Sequence, residues 1–223
     1  MKILPLLLAL ATFFPVAVSA EEIPLKDISK SQLINTVAEV TTYRGFPALK
    51  LSEKDPNMPE ALAILRNRTF HNGTIDVEVS GAPARTAADS ARGFIGIAFH
   101  MQADRSHYEC IYIRPTNGRA SDQLRRNHAT QYESEPDWPW DRLRKESPGV
   151  YESYADMTAG EWTHIRIVVH GTDASLYVGN ASQPCLLIHD LKLGDTQGAI
   201  ALWYGPGTEG YFRNLNITDE GAK

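Results

Sequence analysis

The chain has 223 residues, 43% of them apolar, and a formal charge of −5 at neutral pH. That length suits one domain with a sizeable core. The acidic balance argues against nucleic acid and anionic membrane as partners, because both call for a basic surface; a neutral partner such as a sugar is compatible with it.

The first element is a leader. Lys2 precedes a nearly unbroken apolar run over residues 6–18, and Val18-Ser19-Ala20 puts small residues ahead of Glu21, the pattern of a cleaved signal peptide. The run is shorter than the ~20 residues a spanning helix needs, no basic stop-transfer segment follows, and no second long apolar run occurs, so no membrane span is expected. Cleavage near Ala20 leaves a secreted or periplasmic chain, 21–223, read as a single domain.

Beyond the leader the hydrophobic period is two rather than 3.6. Strands are predicted over 33–43, 48–52, 74–80, 93–101, 108–115, 129–133, 150–156, 163–170, 174–178, 186–190, 199–204 and 210–217. Turn residues separate them, among them Asn72-Gly73, Asn117-Gly118 and Gly205-Pro206-Gly207. Two stretches read as helical: 58–66, with Pro59 near its start, and a short one over 140–145. Many short strands with no βα alternation predict an all-β protein with two antiparallel sheets, a β-sandwich. Cys110 and Cys185 both sit in apolar, strand-like runs; an exported chain could bridge them, and buried free thiols fit equally with their surroundings.

Side chains alternate across a sheet, so three strands have a readable register. Ile95, Ile97, Phe99 and Met101 share one face, Ile111 and Ile113 another, Ile200, Leu202 and Tyr204 a third. Together with Ile165, Ile167 and Val169 they predict the core between the sheets. The reverse faces carry Gly96, Ala98 and His100; Tyr112 and Arg114; and Ala201 and Trp203. Small residues beside aromatic and Arg side chains suit the floor of a groove; a second packed face covered by a loop is the alternative.

An ordered series of motifs adds a resemblance. Gly160-Glu161-Trp162 opens a strand that runs to Gly171, Gly198-Ala-Ile-Ala-Leu-Trp203 follows, and Gly210-Tyr-Phe-Arg-Asn-Leu-Asn-Ile217 closes the chain; Gly93-Phe-Ile-Gly-Ile-Ala-Phe-His100 lies upstream. The series resembles the concanavalin A-like jelly-roll superfamily and, within it, the 3-keto-disaccharide hydrolase domain family, a laminin-G-like sandwich. The resemblance covers roughly residues 70–217. It implies a jelly-roll strand order, carbohydrate handling and, as one possibility, hydrolysis of glycosides. The chain departs from the pattern at Val178-Gly179-Asn180-Ala181, where the family has Asn-Gly, and at His100, where Arg is common. It has neither the Glu-x-Asp-x-x-Glu strand of the laminarinase-type glucanases nor the acidic metal signature of legume lectins.

The densest polar and aromatic stretch runs from residue 114 to 154. It holds Arg114, Asn117, Arg119, Asp122, Arg125, Arg126, Asn127, His128, Gln131, Tyr132, Trp138, Trp140, Glu152 and Tyr154. Sugar recognition uses flat aromatic faces for the ring and planar hydrogen-bonding groups for the hydroxyls. The stretch therefore reads as a flap over the groove, although Asp137-Trp-Pro-Trp-Asp141 could simply staple a helix to the core. The candidate ligand-binding set is His100, Tyr112, Arg114, Asn117, Arg119, Asn127, Gln131, Trp138, Tyr154 and Trp203. The catalytic candidates are His128, as a general base, and Glu152 with Asp156, which share strand parity but would stand ~13 Å apart, beyond glycosidase spacing. No cofactor is expected, a structural calcium ion is left open, and the oligomeric state is not readable. A sugar-binding sandwich, a glycoside hydrolase and an adhesion or scaffold domain are the competing functions.

Overall fold

The computed structural model describes residues 20–27, 31–58 and 61–220. The expected leader lies outside these but for Ala20. In chain order the first strands are β1 (Glu21–Glu22), β2 (Ser31–Ile34), β3 (Thr36–Tyr43), β4 (Phe46–Glu53), β5 (Leu62–Phe70), β6 (Gly73–Pro83), β7 (Ile95–Met101) and β8 (Tyr108–Ile113). A 3-10 turn (Pro115–Asn117) and helix α1 (Gln123–Asn127) lead to β9 (Thr130–Glu135), helix α2 (Trp140–Glu146) and the short β10 (Glu152–Ser153). The chain closes with β11 (Thr163–His170), β12 (Asp173–Val178), β13 (Leu186–Ile188), β14 (Gly198–Tyr204) and β15 (Thr208–Asp219).

Two antiparallel sheets result. One runs β13-β12-β11-β6-β15-β4-β3, with β1 also paired to β15; the other runs β10-β9-β8-β7-β14-β5-β2. The predicted core lies between them. Ile95, Ile97, Phe99, Ile111, Ile113, Ile200 and Leu202 of the seven-stranded sheet face Ile165, Ile167 and Val169 of the other, and all ten are fully buried. Ile167 pairs with Ile75 on one side and Leu176 on the other, so the period-two pattern becomes a continuous apolar layer. Each such side chain contributes about 1.5–3 kcal/mol through burial.

The structure corrects the sequence reading at several elements. Residues 62–66, expected as helix, form the start of β5, an internal strand of the seven-stranded sheet between β14 and β2; Pro59 lies outside the described residues. Leu62, Ala63, Ile64 and Leu65 are all buried, and a strand covered on both faces shows a solid apolar run that its pattern alone cannot separate from a buried helix. The single strand expected over 33–43 breaks at Asn35, whose φ is 45°. Asn tolerates this left-handed conformation, and its amide holds Asp55 through both backbone groups, at 2.8 and 2.9 Å. The break sends β2 to β5 and β3 to β4 in the opposite sheet. Met101 leaves the face of Ile95 and Ile97 because His100, at φ 53°, forms a bulge where the pairing with β14 shifts. Over 150–156 only Glu152–Ser153 is strand.

The seven-stranded sheet is packed on its far face too. Leu62, Ile64, Ala98, Met101, Tyr108, Cys110, Tyr112 and Ala201 form a second buried cluster, flanked by Phe94 and Trp203. Gly96 is small because β8 crowds it: a Cβ there would stand 2.5 Å from Tyr112 Cα. Both cysteines are free; Cys110 lies in this second cluster, while Cys185 packs against the main core.

Candidate functional site

The described residues enclose a cavity of about 920 Å³. It lies where β7 begins and β8 and β14 end, with Phe94, Arg114 and Gly207 contributed by those strand ends and Trp140, Arg144 and Leu124 by the two short helices. Strand ends bring together residues far apart in sequence, which is why Glu53, Arg92 and Arg144 share one space.

The 3-10 turn and α1 are tied into a frame. Asp122 caps α1 by accepting the Arg125 backbone N–H at 2.6 Å. Arg125 then donates through Nε to Asn117 Oδ1 at 2.9 Å and through Nη2 to the Thr116 hydroxyl at 3.2 Å. Asn117 donates to the His128 carbonyl at 2.9 Å, and Arg114 reaches the same carbonyl at 3.2 Å. The backbone of His128 is thereby fixed at the cavity wall.

Arg114 is buried and sits under the cavity. Its Nη2 donates to the Tyr112 hydroxyl at 3.1 Å and to Gln131 Oε1 at 3.0 Å. The guanidinium lies 5.2 Å from the Tyr112 ring centre, 5.8 Å from Trp140 and 5.9 Å from Phe94. Tyr112 stacks in turn on Trp203 at 4.5 Å.

Glu152 is the buried anion of the site. Arg144 grips it with contacts of 2.6, 3.0 and 3.1 Å, His128 Nδ1 lies 2.7 Å away and Arg114 3.7 Å away. Burial holds the His128 imidazole below its ordinary pKa; Glu152 opposes this, while the Arg144 and Arg114 cations add to it. His128 is therefore a neutral hydrogen-bonding group at pH 7, able to donate from one nitrogen and accept at the other.

Of the sequence candidates, Arg114, Asn117 and His128 line the cavity, and Glu152 and Gln131 lie behind them as direct partners. Tyr112 and Trp203 form the layer beneath and do not border the space. His100 is at the other end of β7, fully buried, its Nε2 on the His71 carbonyl at 2.8 Å. Asp156 does not join Glu152: it is exposed and forms a two-point pair with Arg119 at 2.7 and 3.0 Å. Asn127 is exposed and bonded to Gln123. Tyr154 is exposed and bonded to Arg126, and Trp138 packs on Arg142 and Lys192.

Trp140, one turn into the segment read as a staple, faces the cavity in place of Trp138. Arg92 was missed because it precedes the strand expected over 93–101, where periodicity assigns no direction; Phe94 fell inside that strand, and its parity with Gly96 and Ala98 was the available signal. Glu133 was also missed. It shares with Gln131 and Glu135 the strand face that opposes Tyr112, Cys110 and Tyr108, so its alternate spacing was the available signal. Burial, reinforced by Glu135, pushes the Glu133 carboxyl up to about 8, and the Tyr112 hydroxyl donates to it at 3.3 Å. Among the described residues, no set of three or more His, Cys, Asp or Glu side chains is placed to hold a metal ion, and no helix is long and apolar enough to cross a membrane.

No family model matches the chain, and no curated protein matches it. Solved structures do. The carbohydrate-binding module CBM66 from Bacillus subtilis superposes with a TM-score of 0.57 at 10% identity, covering 83% of this chain and 93% of the module. A Parabacteroides distasonis protein provisionally named a glycosyl hydrolase gives 0.57 at 14% identity, over 90% of this chain and all of that one. The shared feature is the fold, a two-sheet antiparallel β-sandwich of jelly-roll type. A Bacillus subtilis protein of unknown function with a galectin-like fold agrees, with a TM-score of 0.54 at 11% identity over 87% of this chain and 91% of that one. At these identities the likeness carries the fold and nothing of the chemistry.

Proposed function

We propose that this protein binds a carbohydrate in the cavity at the strand ends of β7, β8 and β14 and does not cleave it. The observation that carries the reading is the composition of the cavity wall. Phe94 and Trp140 offer aromatic faces, and Arg114, Asn117 and His128 offer planar hydrogen-bonding groups beside them. That pairing of flat apolar surface with few, fixed polar groups is what a sugar ring presents in reverse. Two of the structural neighbours, a carbohydrate-binding module and a protein provisionally named a glycosyl hydrolase, support a sugar ligand by analogy of fold.

Cleavage would need two available carboxyl groups flanking one bond. Glu152 is enclosed and held by Arg144. Glu53 accepts the Gly207 N–H at 2.8 Å, and Asp122 is spent as the cap of α1. These ties leave the carboxylates near the cavity as structural anions, which favours binding over hydrolysis. The leader reading adds that binding takes place after export, outside the cytoplasm.

The test is a glycan array on the purified chain, with product analysis on every hit. Binding with unchanged glycans supports the reading. Released products from a hit would replace it with a hydrolase, and an array without hits would remove the carbohydrate altogether.

A further inference from the structure

The cavity holds more positive charge than its own structure uses. Arg92, Arg114, Arg125 and Arg144 all line it or its wall. Against them stand Glu53, Asp122 and Glu152, so the set carries a formal +1 within a chain of −5. The acids are not shared evenly. Glu152 is taken up by Arg144, while Glu53 and Asp122 each accept a backbone N–H.

Two guanidiniums, Arg92 and Arg125, thus donate only to neutral groups among the described residues, and Arg114 shares Glu152 with Arg144. Arg92 donates to the carbonyls of Asp89 and Ala91, at 2.6 and 2.9 Å. Arg125 donates to Asn117 and Thr116. Arg114 donates to a carbonyl, a hydroxyl and an amide oxygen, its nearest carboxylate contact being 3.7 Å. Arg92 and Arg125 are half-buried and Arg114 is buried. Arg92 also titrates below its ordinary value, first through burial and then through repulsion by Arg125 and Arg114. Like charges gathered in a partly enclosed space raise the free energy of the empty site, and an arriving anion lowers it.

We propose that the cavity selects an acidic sugar, a glycan unit bearing a carboxylate, as its ligand. This rests on the carbohydrate reading above and names the class of carbohydrate. A guanidinium presents paired N–H groups in one plane, which match the two oxygens of a carboxylate. Phe94 and Trp140 supply surface for the ring to which that carboxylate is attached. A neutral sugar would satisfy the aromatic faces and leave the charges of Arg92 and Arg125 unanswered.

The test uses oligogalacturonate and oligoglucuronate beside their carboxyl-reduced neutral counterparts, which keep the ring and lose the charge. Sulfated oligosaccharides and a panel of neutral glycans complete the set, with affinity read by calorimetry. The acidic form should bind at least about tenfold more tightly than its reduced counterpart, the factor that 1.4 kcal/mol represents. That preference should shrink as salt is raised. Arg92→Gln and Arg125→Gln, each checked for an unchanged melting transition, should lose most of the preference. Arg166→Gln, on β11 of the other sheet, should keep it. Equal affinity for acidic and reduced forms overturns the proposal and leaves the carbohydrate reading standing, as does binding confined to neutral or to sulfated glycans. Failure of every glycan to bind removes both.

Discussion

Glu152 is the residue whose replacement should disturb the site most broadly, and Glu152→Gln isolates its charge from its shape. The carboxylate is buried and takes three contacts of 2.6–3.1 Å from Arg144, with His128 2.7 Å away and Arg114 3.7 Å away. Removing one partner of a buried pair costs about 3–5 kcal/mol, because the other charge is left uncompensated. Arg144 is one-third exposed and can turn partly to water, whereas Arg114 cannot, so the expected loss is at the low end, about 3 kcal/mol. Urea unfolding monitored by tryptophan fluorescence measures it. The same variant has a second signature. Glu152 raises the His128 pKa, while Arg144 and Arg114 lower it; with the carboxylate gone only the lowering influences remain. An NMR titration of the imidazole should therefore find His128 titrating at lower pH in the variant. Unchanged stability together with an unchanged or raised His128 pKa would refute the network described here.

Three further outcomes follow from the same structure. Ile167→Ala removes a fully buried side chain between Ile75 and Leu176 and should cost about 2–5 kcal/mol in urea unfolding while the far-UV spectrum stays that of a β-protein; a loss within experimental scatter would show the intersheet packing to be misassigned. Glu133 has its folded pKa raised from 4.5 to about 8, so the unfolded chain releases this proton first and the stability contribution, full below pH 4.5, is lost as pH rises through 8. Glu133→Gln should flatten the decline of unfolding free energy over that window, and an identical pH profile in the variant would contradict the burial assigned to the carboxyl. N-terminal sequencing of the exported protein should begin at Glu21; a start at Met1 would remove the leader.

Much of the sandwich was legible because its core is regular. Ile165, Ile167 and Val169 alternate with half-buried or exposed partners, and period two has one physical meaning in a chain with turn residues at every gap. What escaped the pattern was local. Asn35 and His100 both adopt positive φ without being glycine, and each changes which sheet or which face the following residues occupy. Nothing in alternation announces such a residue. The run from Leu62 to Leu65 misled for a different reason: both its faces are covered, so it shows no alternation at all.

The candidate site was partly legible on the same logic. Arg114, Asn117 and His128 sit in a stretch too rich in planar polar and aromatic groups for an idle loop. Arg92 and Phe94 reach the cavity from the segment before β7, Glu53 from the end of β4 and Arg144 from α2, a convergence made by topology rather than spacing. Parity did place Tyr112 and Trp203 on one face, where they stack on each other; it could not show that the space opens beyond the strand end, above Arg114.

In the proposed binding mode a sugar ring rests against Trp140 in this cavity. Calorimetric titration of an array-selected glycan into the native protein and into Trp140→Ala tests it most directly. Trp140 is exposed, so its removal should leave the melting transition in place. By analogy with base–aromatic stacking, it should weaken binding by ~1–3 kcal/mol. Equal affinity in the two proteins would place the ligand elsewhere and contradict the account.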